Sequence, residues 1–161
     1  MTGCFSRQSG EELLELQFVM SLRHDTPLTV TFLDLDHFKQ VNDRFGHEAG
    51  DAVLTAATLA IQKQLRLGDM FIRWGGEEFI LIMPNSTIEM AGLALERVRK
   101  AGLGLRPDGT PITASIGIAE RIVDHLDDWR TLVEKADARM YEAKQGGRDR
   151  IVGPGGGAGQ A

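Results

Sequence analysis

One stretch constrains this chain more than any other. Residues 28–35 read L-T-V-T-F-L-D-L, a β-branched and nearly continuous apolar run of the kind found in a strand buried inside a sheet. Such a run needs packing partners, and the flanking segments supply them. Residues 11–23 carry Leu13, Leu14, Leu16, Phe18, Val19 and Leu22 close to a helical stripe, and the H-D-T-P stretch at residues 24–27 breaks that helix before the strand starts. The strand ends in two carboxylates, Asp34 and Asp36, a costly place for charge unless something uses it.

Beyond the strand, the periodicity predicts a short helix over residues 37–44, a turn at Gly46, and a long helix from residue 52 to about residue 67 with Asp51 as its N-cap. Residues 69–74 and 77–83 read as strands around a Gly75-Gly76 turn, hence a hairpin that hangs Glu77 and Glu78 at its exit. A helix over 88–101, a strand over 112–119, a helix from 126 to about 145 stopped by Gly146-Gly147, and a short strand at 150–152 complete the order. This pattern predicts an α/β (α+β) sandwich: a mostly antiparallel central sheet, first strand beside the hairpin, covered by helices. We expect one domain over residues 1–152 and a Gly-rich disordered tail or linker over 153–161.

Length and charge narrow the function classes. A domain of 161 residues buries about 68–70% of its unfolded surface, enough for its own core. Eighteen basic against 23 acidic residues give a net charge of −5, which argues against a long nucleic acid and for a small ligand at a local site. The single Cys4 offers neither a disulfide nor a zinc pair, and no run approaches the length of a membrane span, so the expectation is a cytoplasmic domain without membrane contact.

If the first strand and the hairpin are neighbours, Asp34, Glu77 and Glu78 converge. Hard oxygen donors without cysteine or a histidine pair suit Mg²⁺ or Mn²⁺. The alternative reading is that Asp34 and Asp36 cap the short helix while Glu77 and Glu78 are solvated turn acids. Lys39, Lys144 and Arg148 offer positive charge for a triphosphate, or are solvated surface cations. Asn42 and Asp51 form a complementary pair for the edge of guanine, or are helix surface and N-cap.

Several separated motifs resemble one family. Residues 33–51, L-D-L-D-H-F-K-Q-V-N-D-R-F-G-H-E-A-G-D, are similar to the D-x-D-x-F-K-x-x-N-D…G-H-x-x-G-D stretch of GGDEF-family diguanylate cyclase domains. Residues 73–79, R-W-G-G-E-E-F, resemble the signature that names the family, here as its GGEEF variant. Residues 115–119 and 136–148 resemble the later S-x-G and A-D-x-x-[LM]-Y-x-A-K-x-x-G-R motifs.

The resemblance implies a palm-like, ferredoxin-like nucleotidyl cyclase fold. It also implies a Mg²⁺-dependent enzyme that condenses two GTP into cyclic di-GMP across a homodimer of domains. By matching position, Asp34, Glu77 and the Leu35 carbonyl hold metal with Glu78 assisting, and Glu77 helps deprotonate the ribose 3′-hydroxyl. Asn42 and Asp51 read guanine; Phe38, Lys39, Lys144 and Arg148, with the Gly75-Gly76 turn, bind the rest of the substrate. Arg66 and Asp69, an R-x-x-D, and Arg97 match an inhibitory site for the product. The parent protein is expected to carry sensor or effector domains. The match departs at residues 1–7, M-T-G-C-F-S-R, where the family reads D-x-L-T-G-L-x-N-R. A competing expectation is a non-catalytic GTP or cyclic di-GMP binding module, for example one fused to a phosphodiesterase.

Overall fold

The structure, a computed structural model, describes residues 3–155. In chain order it comprises α1 (Arg7–His24), β1 (Leu28–Leu35), α2 (Phe38–Phe45), α3 (His47–Gln62), β2 (Met70–Arg73), β3 (Glu78–Pro84), α4 (Ile88–Ala101), β4 (Ala114–Glu120), α5 (Trp129–Gln145) and β5 (Arg150–Val152). The five strands form one sheet in the order β2-β3-β1-β4-β5. All neighbours pair antiparallel except β4 and β5, which run parallel.

β1 is central and every residue of it is buried, as its composition predicts. Its alternate side chains divide between two cores. Leu33 and Leu35 join Phe79, Leu81 and residues of α3 and α4 on one face. Val30 and Phe32 join Ile80, Ile82 and residues of α1 and α5 on the other. Each fully buried Leu, Ile or Phe contributes about 1.5–3 kcal/mol, so the two-sided sheet is the main source of stability. α5 comes unusually close: a Cβ at Gly117 on β4 would run into the backbone of Ala136 and Met140. Glycine there lets the helix sit against the sheet.

The α+β layering, the hairpin and the placement of β1 beside β3 match the sequence expectation. The helix ends differ, for local reasons. α1 begins at Arg7 rather than residue 11 because Ser6 caps it, its Oγ accepting from Ser9 N–H at 3.2 Å. α3 begins at His47, so Asp51 is not its N-cap. Gly46, at φ +91°, turns the chain directly out of α2, and Asp51 lies inside the helix. The same helix stops at Gln62, short of residue 67, where Asp69 Oδ2 accepts the Arg66 N–H at 3.0 Å and closes a separate turn. α5 starts at Trp129 rather than 126, because Asp128 accepts the Thr131 N–H at 2.8 Å. β4 starts at Ala114 rather than 112, because Ile112 N–H bonds to Gly104 O in the preceding loop. Of the expected Gly-rich tail, residues 153–155 lie outside any helix or strand and residues 156–161 lie outside the described residues. No described helix is long and apolar enough to cross a membrane.

One buried ion pair locks the far end of α5. Arg139 Nη1 and Nη2 reach the two oxygens of Asp124 at 2.8 and 2.7 Å, both side chains being largely buried. Burial pulls the Asp124 carboxyl upward, but the Arg139 fork and the Glu120 N–H hold it below the ordinary aspartate range. An acid depressed in the folded state stabilises fully above its unfolded pKa and loses that contribution as pH falls toward its folded value. Asp124→Asn is therefore expected to cost about 3 kcal/mol at pH 7 in urea unfolding, by stranding Arg139. The gap to wild type should narrow below about pH 4; a pH-independent gap would contradict this account.

Candidate active site

The end of β1 is where the elements meet. Asp34 lies directly opposite Glu78 of β3 on one side and Ser115 of β4 on the other. One residue on, Leu35 N–H donates to Glu77 O at 3.1 Å, so the hairpin exit is stitched to the strand end. The turn is tied down from within. The Trp74 and Gly75 N–H groups both donate to Glu78 O, at 2.8 and 3.1 Å, and the Arg73 guanidinium donates to the Gly75 and Gly76 carbonyls. A Cβ at Gly75 would stand 2.8 Å from Glu78 Oε1 and push that carboxylate aside.

α5 closes the site from above. Lys144 Nζ donates to Asp34 Oδ2 at 2.9 Å. A cleft of about 140 Å³ follows, and Asp34, Leu35, Phe38, Lys39, Glu77, Lys144 and Arg148 all line it. Lys39 and Arg148 are exposed, free to reach a bound anion. Glu78 is not part of that lining; its carboxylate folds back beside Gly75 and shares a field with Asp137 of α5.

These acids strain one another. Asp34 is 4% exposed, and burial pushes its pKa up to about 6; Lys144 opposes the shift, while Glu77 and Glu78 reinforce it. Glu78 is also raised, by burial first, then by Asp137 and Glu77. Asp137 is raised by its own burial. Among the described residues no three acidic, histidine or cysteine side chains stand together as a ready metal cage. The donor chemistry still fits a hard divalent cation at Asp34 and Glu77: the two carboxylates line one cleft, Glu77 adds to the upward push on Asp34, and a lysine ammonium already sits on Asp34.

The residues expected to read guanine, Asn42 and Asp51, lie on α2 and α3. Gly50, the neighbour of Asp51, packs against the Asn42 amide, which a Cβ would displace. Asn42 Oδ1 is buried without a hydrogen-bond partner, whereas Asp51 is exposed. Arg66 and Asp69 also meet: Asp69 takes the Arg66 N–H, and its Oδ1 stands 3.9 Å from Arg66 Nη2. The Arg66 guanidinium donates to Ser86 Oγ. Arg97 is exposed on α4 and makes no hydrogen bond or ion pair with that pair among the described residues.

The helix-cap reading of Asp34 and Asp36 does not hold. His37 occupies the N-cap of α2 in a left-handed conformation with no side-chain cap bond, and Asp36 turns away to Thr113, Ser115 and the Asp149 N–H. Sequence reasoning passed over Asp36, Arg73 and Asp137 as site residues. Asp36 was visible as the second acid after the strand, but its partners lie 77 to 113 residues away by chain and adjoin only in the folded protein.

The chain resembles known proteins in sequence and in fold. The sequence matches the family model described as "Diguanylate cyclase, GGDEF domain" over residues 1–150. It is 36% identical over 153 residues to the probable diguanylate cyclase DgcC of Escherichia coli, a match covering 93% of this chain and 41% of that one. The chain thus spans well under half of that curated relative. Among solved structures, the GGDEF domain of DgcB from Caulobacter crescentus in complex with c-di-GMP has a TM-score of 0.84 at 30% identity, covering 94% of this chain and 89% of that one. The active GGEEF domain of a diguanylate cyclase from Vibrio cholerae has a TM-score of 0.84 at 28% identity, covering 93% and 96%.

The burial of Asp34 has a measurable cost. With the Asp34 pKa raised from 3.8 to about 6, the unfolded chain releases this proton before the folded one, so stability falls as pH rises through that window. In EDTA, Asp34→Asn should be more stable than wild type at pH 8, by up to about 3 kcal/mol. The advantage should vanish near pH 3.5, where both are uncharged. Urea midpoints at the two pH values check it; a less stable variant at pH 8 would show that Lys144 outweighs burial.

Proposed function

Because the chain belongs to the GGDEF family of diguanylate cyclase domains, we propose that it condenses two GTP molecules into cyclic di-GMP with release of two pyrophosphates. The observation that supports this most directly is the meeting of Asp34 and Glu77 beside Lys39, Lys144 and Arg148 in one cleft, acids for a cation next to cations for a triphosphate. The acids of the signature stand intact at the hairpin. That favours catalysis over a non-catalytic GTP or cyclic di-GMP binding module.

Each residue has a defined task in this reading. Lys144, Arg148 and Lys39 hold phosphate oxygens, with Phe38 and the backbone of the β1–α2 turn forming the floor. Asn42 and Asp51 read guanine, Asp51 accepting from N1–H and the exocyclic amine, donors that adenine lacks in that arrangement. Asp34, Glu77 and the Leu35 carbonyl would hold Mg²⁺ or Mn²⁺, with Glu78 adding negative charge from behind. Such ions neutralise charge on the reacting phosphoryl group and make the attacking hydroxyl more acidic. Glu77 receives the proton of the ribose 3′-hydroxyl.

One cleft accommodates one GTP, so ring closure takes two copies face to face. Each 3′-oxygen attacks the α-phosphorus of the opposite nucleotide as the bond to pyrophosphate breaks. A homodimer is therefore the working unit, in a cytoplasmic portion of a larger protein that brings sensor or effector domains. Arg66, Asp69 and Arg97 serve as the product-binding, inhibitory set.

Two measurements test this. A forced dimer incubated with GTP and Mg²⁺ should yield cyclic di-GMP by chromatography, and Glu77→Gln should lower kcat by about 10²–10⁴-fold. A dimer that binds GTP yet forms no cyclic product would leave only the binding-module reading. Arg66→Ala should relieve product inhibition in initial-rate assays, and unchanged inhibition would remove the regulatory site from this account.

A further inference from the structure

We propose that Asp36 is a positioning residue for Arg148, holding the loop after α5 in the one conformation that points this arginine into the cleft; this rests on the reading of Arg148 as a phosphate ligand. Asp36 is 3% exposed and fully engaged: Thr113 Oγ1 donates to its Oδ2 at 2.7 Å, Ser115 Oγ to its Oδ1 at 2.6 Å, and the Asp149 backbone N–H to its Oδ2 at 3.0 Å. The first two bonds anchor the carboxylate to β4 and the segment before it. The third reaches across to the residue after Arg148.

The loop it grips adopts a conformation that side chains disfavour. Arg148 and Asp149 are consecutive non-glycine residues at φ +66° and +48°, following Gly147 at +116°. Left-handed pairs of this kind persist only where surrounding contacts over-determine them. Side-chain and backbone contacts surround this pair. The Arg148 N–H donates to Ala143 O at 2.9 Å, and Arg150 Nε donates to Arg148 O at 2.9 Å. Arg99 Nη2 donates to Asp149 O at 2.8 Å and meets its Oδ1 at 3.2 Å, while Glu96 braces Arg99 at 2.8 Å. Asp36 and Arg99 thus hold one residue from both sides, the N–H and the C=O of Asp149, from inside and outside the fold.

The consequence is a division of labour between the two acids that end β1. Asp34 faces the cleft and Lys144; Asp36, two residues on, sets where the other anion-facing cation stands. The backbone groups that the Asp36 and Arg99 side chains bond are both on Asp149, the residue adjoining Arg148, whose own side chain is exposed and lines the cleft.

A double-mutant cycle tests this with titration of GTP and Mg²⁺ onto the protein. Asp36→Asn, in which an amide NH₂ faces a set of donors, and Arg99→Ala should each weaken GTP binding roughly five- to tenfold in the wild-type background, and less than twofold once Arg148→Ala is present. Hydrogen exchange at the Asp149 amide should accelerate at least roughly tenfold in Asp36→Asn, with the β1 amides unchanged. Equal losses of affinity with and without Arg148 would overturn the proposal, because Asp36 would then act through the fold at large. Unaltered exchange at Asp149 would overturn it whether or not nucleotide binds, so a failure of the clamp is separable from a failure of the GTP reading. Should Asp36→Asn fold poorly, Arg99→Ala carries the same cycle from the protein surface, with exchange read at Asp149 and Arg150.

Discussion

The antiparallel pairing of the end of β1 with the start of β3 is the constraint on which the rest depends. It places Asp34 across from Glu78 and stitches Leu35 to Glu77, so that acids more than forty residues apart by chain share one small volume. Nothing about like charges favours that approach. It is enforced by the apolar residues behind it, Leu33 with Phe79 and Phe32 with Ile80, whose burial outweighs the repulsion at the tip. Burial first, and the neighbouring acids after it, raise the titration of Asp34 and Glu78.

α5 brings positive charge to this acidic tip. Its approach to β4 is set by the absence of a side chain at Gly117, and two of its residues a pair of turns apart, Asp137 and Lys144, then face Glu78 and Asp34. A helix standing farther from the sheet would leave Lys144 out of reach of Asp34. The loop that follows, held at Asp149 from both sides, adds Arg148 to the same mouth. Packing of the core and charge arrangement in the cleft are therefore one problem: stability and chemistry are decided by the same backbone distances.

Much of this was legible in the order of residues. The unbroken apolar run of β1 announced a central strand, the Gly75-Gly76 turn announced the hairpin, and α4 and β5 kept the bounds that periodicity assigned them. Helix starts were legible less well, because caps compete. Asp51 looked like an N-cap beside an apolar stripe, yet Gly46, five residues earlier at positive φ, already turns the chain into the helix. The neighbouring acids of the signature illustrate another limit. Spacing put Glu77 and Glu78 at one turn, but strand alternation and the room beside Gly75 sent Glu78 back toward Asp137 while Glu77 kept to the cleft.

Local sequence thus carried the chemical inventory and the layering: which residues are acids and cations, which segments are strands, and the motifs that identify the family, since all of these depend on neighbours within a few positions. Tertiary structure alone settled the partnerships. That Asp36 serves Thr113, Ser115 and Asp149, that Lys144 rests on Asp34, and that Asn42 packs against Gly50 follow from strand register and helix approach. Those quantities emerge from the packing of both cores at once, and no window of sequence contains them.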